Sequence, residues 1–453
     1  MHSQSDFTQL AEASIQNKQQ RDRIAESTNA FKTQFGQAKE QYANLELAKE
    51  RAAYYKWKVL ESLDKYLIEF ESNVIRRGGK VVWAIDAASA VQELDTIIKR
   101  NNPKIILRAH SKIAEEVGVP SFLKDLGDTA TSTNIGDFIN EKTGNTSFHM
   151  INPILNRTSS EIASSLNDKI GVSIDASAMD IAKDVTHEIR DKFRDVDISI
   201  TGANFLISET GMVALSENEG NIRMAISFAK THVVIAGIDK IIPTLNDLDI
   251  YFPLLATYGN GQKLTTYNTI VGPRQPGETD GPAEFIVILV DNGRSDLLAQ
   301  SDQRQALSCI GCGACSRFCP VFETIGGNAF ENGPIGAVTY PHMHGLNEYK
   351  HLSYASTICG NCTDICPVKI DLHNHLLRNR RDSVAQGMIK SSDKMMWFSW
   401  KKMMLSRKNL NKGASVKNFI LKSFLKTPWG EQREFPKVVD KSFNQLWRER
   451  NGL

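Results

Sequence analysis

All seven cysteines of this 453-residue chain fall between positions 309 and 366, and the rest of the sequence has none. A disulfide framework spreads its cysteines to tie distant loops, and an odd count leaves one over. Clustering of this kind instead indicates a metal centre in a reducing compartment. The stretch "CIGCGACSRFCPVF" sets Cys309, Cys312, Cys315 and Cys319 in the order C-x2-C-x2-C-x3-C-P. The first three spacings let a tight loop wrap a cubane so that each thiolate meets a different iron. Small Gly311, Gly313 and Ala314 allow the backbone to come close.

A second copy follows in "STICGNCTDICPV", with Cys359, Cys362, Cys366 and Pro367 in place and Ser356 where the first cysteine would stand. In two-cluster ferredoxins each fourth cysteine ligates the other cluster. Crossing the ligands gives one complete set, Cys309, Cys312, Cys315 and Cys366. The other set is Cys319, Cys359 and Cys362, with Ser356 at the fourth position. Three outcomes stay open for that second centre: serine ligation, a labile fourth iron held by water or a partner residue, or a 3Fe–4S cluster. Structural zinc needs only four tetrahedral ligands, usually as two C-x2-C pairs, which does not suit seven cysteines in two such motifs. His342, His344, His351, His373 and His375 lie close enough in sequence to be considered as an eighth ligand.

Elsewhere the pattern is that of an ordinary globular protein. The formal charge of +2 gives no overall field that would attract nucleic acid. No apolar run reaches the roughly 18 residues of a membrane span, and the start lacks the order of a signal peptide, so a cytoplasmic protein is expected. Residues 1–78 read as a helical packing or docking arm, ending at "RRGG" with Gly78 suited to a left-handed cap. From Gly79 the period changes. "GKVVWAI", "KIILRA", "DISITG", "MVALSE", "HVVIAGI" and "EFIVILV" read as strands alternating with helices, one of which opens at Asp86. This predicts a parallel sheet with helices on both faces, one α/β domain over 79–295. Its polar loops offer Glu209, Glu217, Glu219, Asn221, Arg223, Lys230, His232 and Arg274 as candidate binding residues. No G-x-G-x-x-G follows the first strand, so a dinucleotide fingerprint is not supported. The Cys-, Gly- and Pro-rich segment 296–385 forms the iron–sulfur domain. Residues 386–453 are an extension in which ten Lys/Arg face one acid, Asp393, over 386–426, interleaved with "MMWFSWKKMML". That stretch is either a basic amphipathic surface for a protein or anionic membrane, or a helix whose aromatics pack on the parent domain.

The motifs "ITGANFLISETGMVALSENEGNIRM", "KTHVVIAGIDKIIPT", "DGPAEFIVILVDNGRS", "CIGCGACSRFCP", "GGNAFENGPIGAV" and "CGNCTDICPVKIDL", in this order, resemble the bacterial lactate utilization protein B family. The resemblance covers about 60 to 385. It implies a lactate-utilization domain over 79–295, related in fold to the CoA-transferase and ribose-phosphate-isomerase group, and a helical ferredoxin-like domain. It also implies two 4Fe–4S-type clusters on the seven cysteines, electron transfer during oxidation of L-lactate to pyruvate, and two partners, a cysteine-rich subunit and a smaller lactate-utilization-domain protein. A second expectation is that the α/β domain is itself catalytic: "SENEGN" is similar to the Ser-Glu-Asn-Gly stretch of CoA transferases, which would make Glu217 the nucleophile, although Glu219 before Gly220 departs from that pattern. A third is a scaffold for partner subunits.

Overall fold

The computed structural model describes residues 4–411, 417–419, 423 and 437–452. The helix-forming first segment gives α1 (Gln4–Gln16), α2 (Lys18–Ala38), α3 (Leu45–Leu60) and α4 (Leu63–Arg76). Asn17 and Asn44 cap α2 and α3 through their side chains, and Gly78 takes φ 91° just after α4. The α/β region continues as β1 (Lys80–Ala84), α5 (Ala87–Asn101), β2 (Ile106–Arg108), α6 (Lys112–Glu116), α7 (Val119–Lys124), β3 (Ala130–Ser132), α8 (Ile135–Thr143), α9 (Ser159–Ile170), α10 (Ala178–Arg194), β4 (Ile198–Thr201), β5 (Phe205–Ile207), β6 (Met212–Glu217), α11 (Asn221–Phe228), β7 (Thr231–Gly237), β8 (Ile241–Ile242), α12 (Leu248–Asn260), β9 (Tyr267–Val271) and β10 (Glu284–Val290). Asp86 and Ser89 form a capping box at the start of α5.

β1, β10, β7, β4, β2 and β3 pair in that order as a wholly parallel sheet. Alternation along β10 explains why both faces are covered. Ile286, Ile288 and Val290 pack with α5, α6 and α7 residues such as Leu94, Ile113 and Leu123, while Phe285, Val287 and Leu289 pack with α4 residues such as Phe70 and Val74. The result is a three-layer α/β arrangement.

The expectation of a single parallel sheet is corrected in one respect. "MVALSE" is β6 and belongs to a second sheet, β8-β5-β6-β9, in which it runs antiparallel to β5 and β9. A tight turn with Gly211 at φ 66° reverses the chain between β5 and β6. Strand direction depends on that turn and on distant partners, neither of which hydrophobic period encodes.

The cysteine-rich segment is mainly short helices: α13 (Arg294–Ala299), α14 (Ala314–Arg317), α15 (Pro320–Ala329), α16 (Gly333–Met343), α17 (Leu346–Ala355), α18 (Asn361–Asp364) and α19 (Leu372–Ala385). Its core is continuous with the first helices. Ile24 of α2, Ala52 and Leu60 of α3, and Tyr251 and Leu254 of α12 share one apolar cluster with Cys312, Cys315, Cys319, Cys362 and Cys366. Residues 1–382 form one compact unit and 383–453 another. The second unit contains α20 (Ser391–Met404) and α21 (Arg407–Asn411). The basic run expected over 386–426 lies outside the described residues at 412–416, 420–422 and 424–426. No helix is long and apolar enough to cross a membrane among the described residues.

Candidate metal centre

The two cysteine motifs repeat in backbone as well as in sequence. Gly311 and Gly313 take φ 75° and 71°, and their counterparts Ile358 and Gly360 take 55° and 87°. Each copy then enters a four-residue helix, α14 or α18. The repeat extends to a hydrogen bond. The Gly311 N–H donates to Cys309 Sγ at 3.4 Å, and the Ile358 N–H donates to Ser356 Oγ at 3.2 Å. The serine hydroxyl therefore holds the local place that the first cysteine holds in the other copy.

The sulfurs fall into two groups. Cys309, Cys312, Cys315 and Cys366 line one cavity, walled otherwise by Met150, Ile335, Val368 and Leu372. Cys319 and Cys362 lie within electrostatic reach of each other and of Cys359. Burial pushes the Cys366 thiol up to about 11 and Cys362 up to about 12. Thiols this desolvated stay protonated until a cationic centre binds them. Cys312, Cys315 and Cys366 of the first group and Cys319 and Cys362 of the second are buried, Cys309 is half-buried and Cys359 is exposed.

These surroundings fit an iron–sulfur cluster. Tetrahedral zinc, with Zn–S near 2.3 Å, would bring its thiolates to about 3.8 Å of one another. Among the described residues no three cysteine sulfurs lie within 4.8 Å of one another, as the wider span of a cubane requires. Charge fits as well. Lys56 and Lys240 both lie within reach of Cys309; Lys240 Nζ donates to the Cys309 carbonyl at 2.9 Å and pairs with Asp239 at 3.0 Å. Lys56 is buried, and desolvation holds its amine down to about 8, against the pull of Asp239 and Cys309. Buried cations of this kind suit an anionic cluster. His149 adds a donor: its Nδ1 accepts from the backbone N–H groups of Ile151 and Asn152, which leaves the ring proton on Nε2. That Nε2 is buried without a hydrogen-bond partner and lies against Gly313, between two cysteines.

The histidines weighed as ligands have other partners. His342 meets Asn379, His373 meets Thr363, and His375 meets Gln303 and Gln305; His351 takes the Glu348 carbonyl and His344 meets the Tyr340 ring edge to face. None groups with cysteine sulfurs among the described residues.

Beside the first sulfur group lies a cleft of about 540 Å³. From β2 the chain steps outward to β3, then returns to β4, β7 and β10 on the other side, so the topological switch falls between β2 and β4. Open α/β sheets bind ligands at that point, outside the carboxyl ends of the strands. His110 after β2, Gly202 and Asn204 after β4, and Lys240 after β7 line the cleft, and Ile310 and Gly311 of the cysteine loop close it.

Of the candidate α/β residues, Glu217, Glu219 and Asn221 come together at this cleft. Both carboxylates are engaged. Glu217 accepts from the Ile222 and Arg223 N–H groups at the start of α11, and Glu219 from the Ile135 N–H at the start of α8. Desolvation raises the pKa of each. The others lie apart. Glu209 takes the Leu245 N–H, Arg223 stacks on Tyr267, Lys230 pairs with Asp197 at the opposite end of the sheet, His232 is buried against Thr201, and Arg274 is exposed. Lys56, His110, His149 and Lys240 were not singled out in the sequence. A signal existed for Lys56, which occupies the buried stripe Ala52, Lys56, Val59 of α3; His149 sits in an irregular loop and carried none. His110, Glu115 and Asp137 offer ligand atoms within 4.8 Å of one another, but Arg108 and Lys112 pair with the two carboxylates, so the group is balanced as an ion-pair network. A groove of about 640 Å³ along β3 and α8 touches none of the cysteines.

Residues 67–290 match the family described as LUD domain, and 305–370 match the 4Fe-4S dicluster domain. The "Lactate utilization protein B" of Bacillus cereus (strain AH820) is 35% identical over 387 residues, covering 85% of this chain and 82% of that protein. The chain belongs to the lactate utilization protein B family. Its relative of the same name from Bacillus cytotoxicus is 33% identical over 463 residues, with 99% and 98% of the two chains covered. A solved DUF162 family protein from Deinococcus radiodurans aligns with 51% of this chain and 98% of its own at 15% identity, with a TM-score of 0.29. Membership in the lactate utilization protein B family gives the chain a role in lactate utilization, with an iron–sulfur domain for electron transfer.

Proposed function

We propose that this chain is the electron-relay subunit for oxidation of L-lactate to pyruvate, holding two clusters of which the second has Ser356 at its open corner. The gathering of Cys309, Cys312, Cys315 and Cys366 around one cavity, with Cys319 and Cys362 grouped with exposed Cys359, carries this reading. Cys309, Cys312, Cys315 and Cys366 would hold the first cluster, and Cys319, Cys359 and Cys362 the second. Oxidising a 2-hydroxy acid to a 2-oxo acid releases two electrons and two protons, and bound clusters accept electrons one at a time.

The chain's own residues supply position and charge. Lys240 ties the carboxyl end of β7 to the Cys309 loop, so the cleft and the first sulfur group are held as one piece. The cleft is the place for a small hydroxy acid or for a partner's reduced group, with the Lys240 ammonium facing its carboxylate. Exposed Cys359 sets the second centre at the surface, where electrons leave to the next carrier. The cysteine-rich subunit and the smaller lactate-utilization-domain protein are the proposed partners, in the cytoplasm.

Iron and acid-labile sulfide assayed on anaerobically purified protein test this reading. Roughly seven to eight irons per chain are expected; stoichiometric zinc without iron would contradict it.

A further inference from the structure

The helix α20 carries an apolar stripe that is exposed among the described residues. Met396, Trp400 and Met404 recur at four-residue steps, and Trp397 joins them one turn from Trp400, with their rings 5.6 Å apart and edge to face. Such residues lie on one side of a helix. They are 47%, 48%, 41% and 58% exposed, respectively. Lysines are interleaved with further exposed apolar residues around the rest of the helix: Lys394, Lys401 and Lys402 alternate with Met395 and Phe398, which are exposed. Lys390, Arg407 and Lys408 flank it, and Asp393 in its first turn is the one acid between 386 and 426. A 14-residue helix is marginal by itself in water, so exposed aromatics on this one call for a partner.

We infer that α20 lies in the headgroup region of an anionic bilayer, its Met and Trp stripe inserted and its lysines on the lipid phosphates. Tryptophan is favoured where one side of a helix is apolar and the other wet. Lysines flanking such a stripe add attraction to anionic lipid. A protein groove would accept the apolar stripe equally well, but ten Lys/Arg against the single acid Asp393 over 386–426 match a surface that is uniformly negative. Contact of this kind would bring an electron carrier to a membrane without any spanning helix.

The test is co-sedimentation of the full, cluster-loaded chain with vesicles of phosphatidylglycerol and, separately, of phosphatidylcholine. Binding to the anionic vesicles is expected, at least about tenfold weaker to the zwitterionic ones and weakened by salt. Trp400→Glu and, separately, paired Lys401→Glu and Lys402→Glu should each lower binding about tenfold while iron content stays at the wild-type value. Both changes are on exposed positions, so a loss with unchanged iron is a surface effect. No binding to either vesicle, or binding that ignores lipid charge and both variants, would overturn the inference and leave the stripe to a protein.

Discussion

Ile358 has φ 55°, a left-handed conformation that a β-branched side chain adopts at a cost of roughly 1–2 kcal/mol. The matching position in the first motif is Gly311, where the same conformation is free of that cost. Ile358→Gly relieves that cost but removes a side chain packed against the core and frees the unfolded chain, so the unfolding free energy in thermal melts monitored by circular dichroism should change by no more than about 1 kcal/mol; a loss of several kcal/mol would show that the backbone conformation carries no strain. Aligning the two motifs places isoleucine over glycine, so the substitution was legible in the sequence. That its backbone would keep the glycine's conformation was not, because it follows from the fold of the whole repeat. His110 gives a second prediction. Burial opposes its charge, but Asp137 at 2.8 Å and Glu115 outweigh that, and the pKa is raised even beside Lys112. A raised folded value means the stabilisation is fully present below the ordinary histidine pKa of about 6.5 and is lost as pH rises through the folded value. His110→Gln should thus melt well below wild type at about pH 6, with the gap closing toward alkaline pH. A gap independent of pH would rule the charge out.

Among elements, the joint between the cysteine-rich helices and the α/β domain is set by backbone contact. A Cβ at Gly327 in α15 would stand 1.6 Å from the Phe148 carbonyl oxygen. Phe148 begins the loop through His149 and Met150 that walls the first sulfur group. Gly327→Ala should cost about 1–3 kcal/mol and reduce iron retention, measured as iron per chain after desalting; full retention with unchanged melting would show that the joint yields easily. The strands β4, β7 and β10 were legible because parallel strands buried on both faces are continuous apolar runs, and β1, at the sheet edge with Trp83 exposed, and β2 were legible from their short runs of β-branched and apolar residues. By contrast β8, at two residues, is shorter than any periodic signal, and β5, at three, pairs antiparallel with β6 through the Gly211 turn, which the apolar period does not encode. The crossed ligand sets are a proposal drawn from spacing, whereas the cleft beside the cysteines depends on loops brought together from β2, β4, β7 and the cysteine motif.

At the scale of the molecule, one buried core joins the first helices to the cysteine loops, and the switch-point cleft opens onto those loops. Electrons in the proposed relay would leave through the group that ends at exposed Cys359, and the proposal depends on Cys366 joining the first motif's cluster. The most direct measurement is the low-temperature EPR of reduced, anaerobic single-cysteine variants, compared in pairs. Cys366→Ala should lose the same signal as Cys312→Ala, and Cys319→Ala the same signal as Cys362→Ala. If Cys366→Ala instead matches Cys362→Ala, each motif ligates its own cluster and the crossed arrangement is wrong.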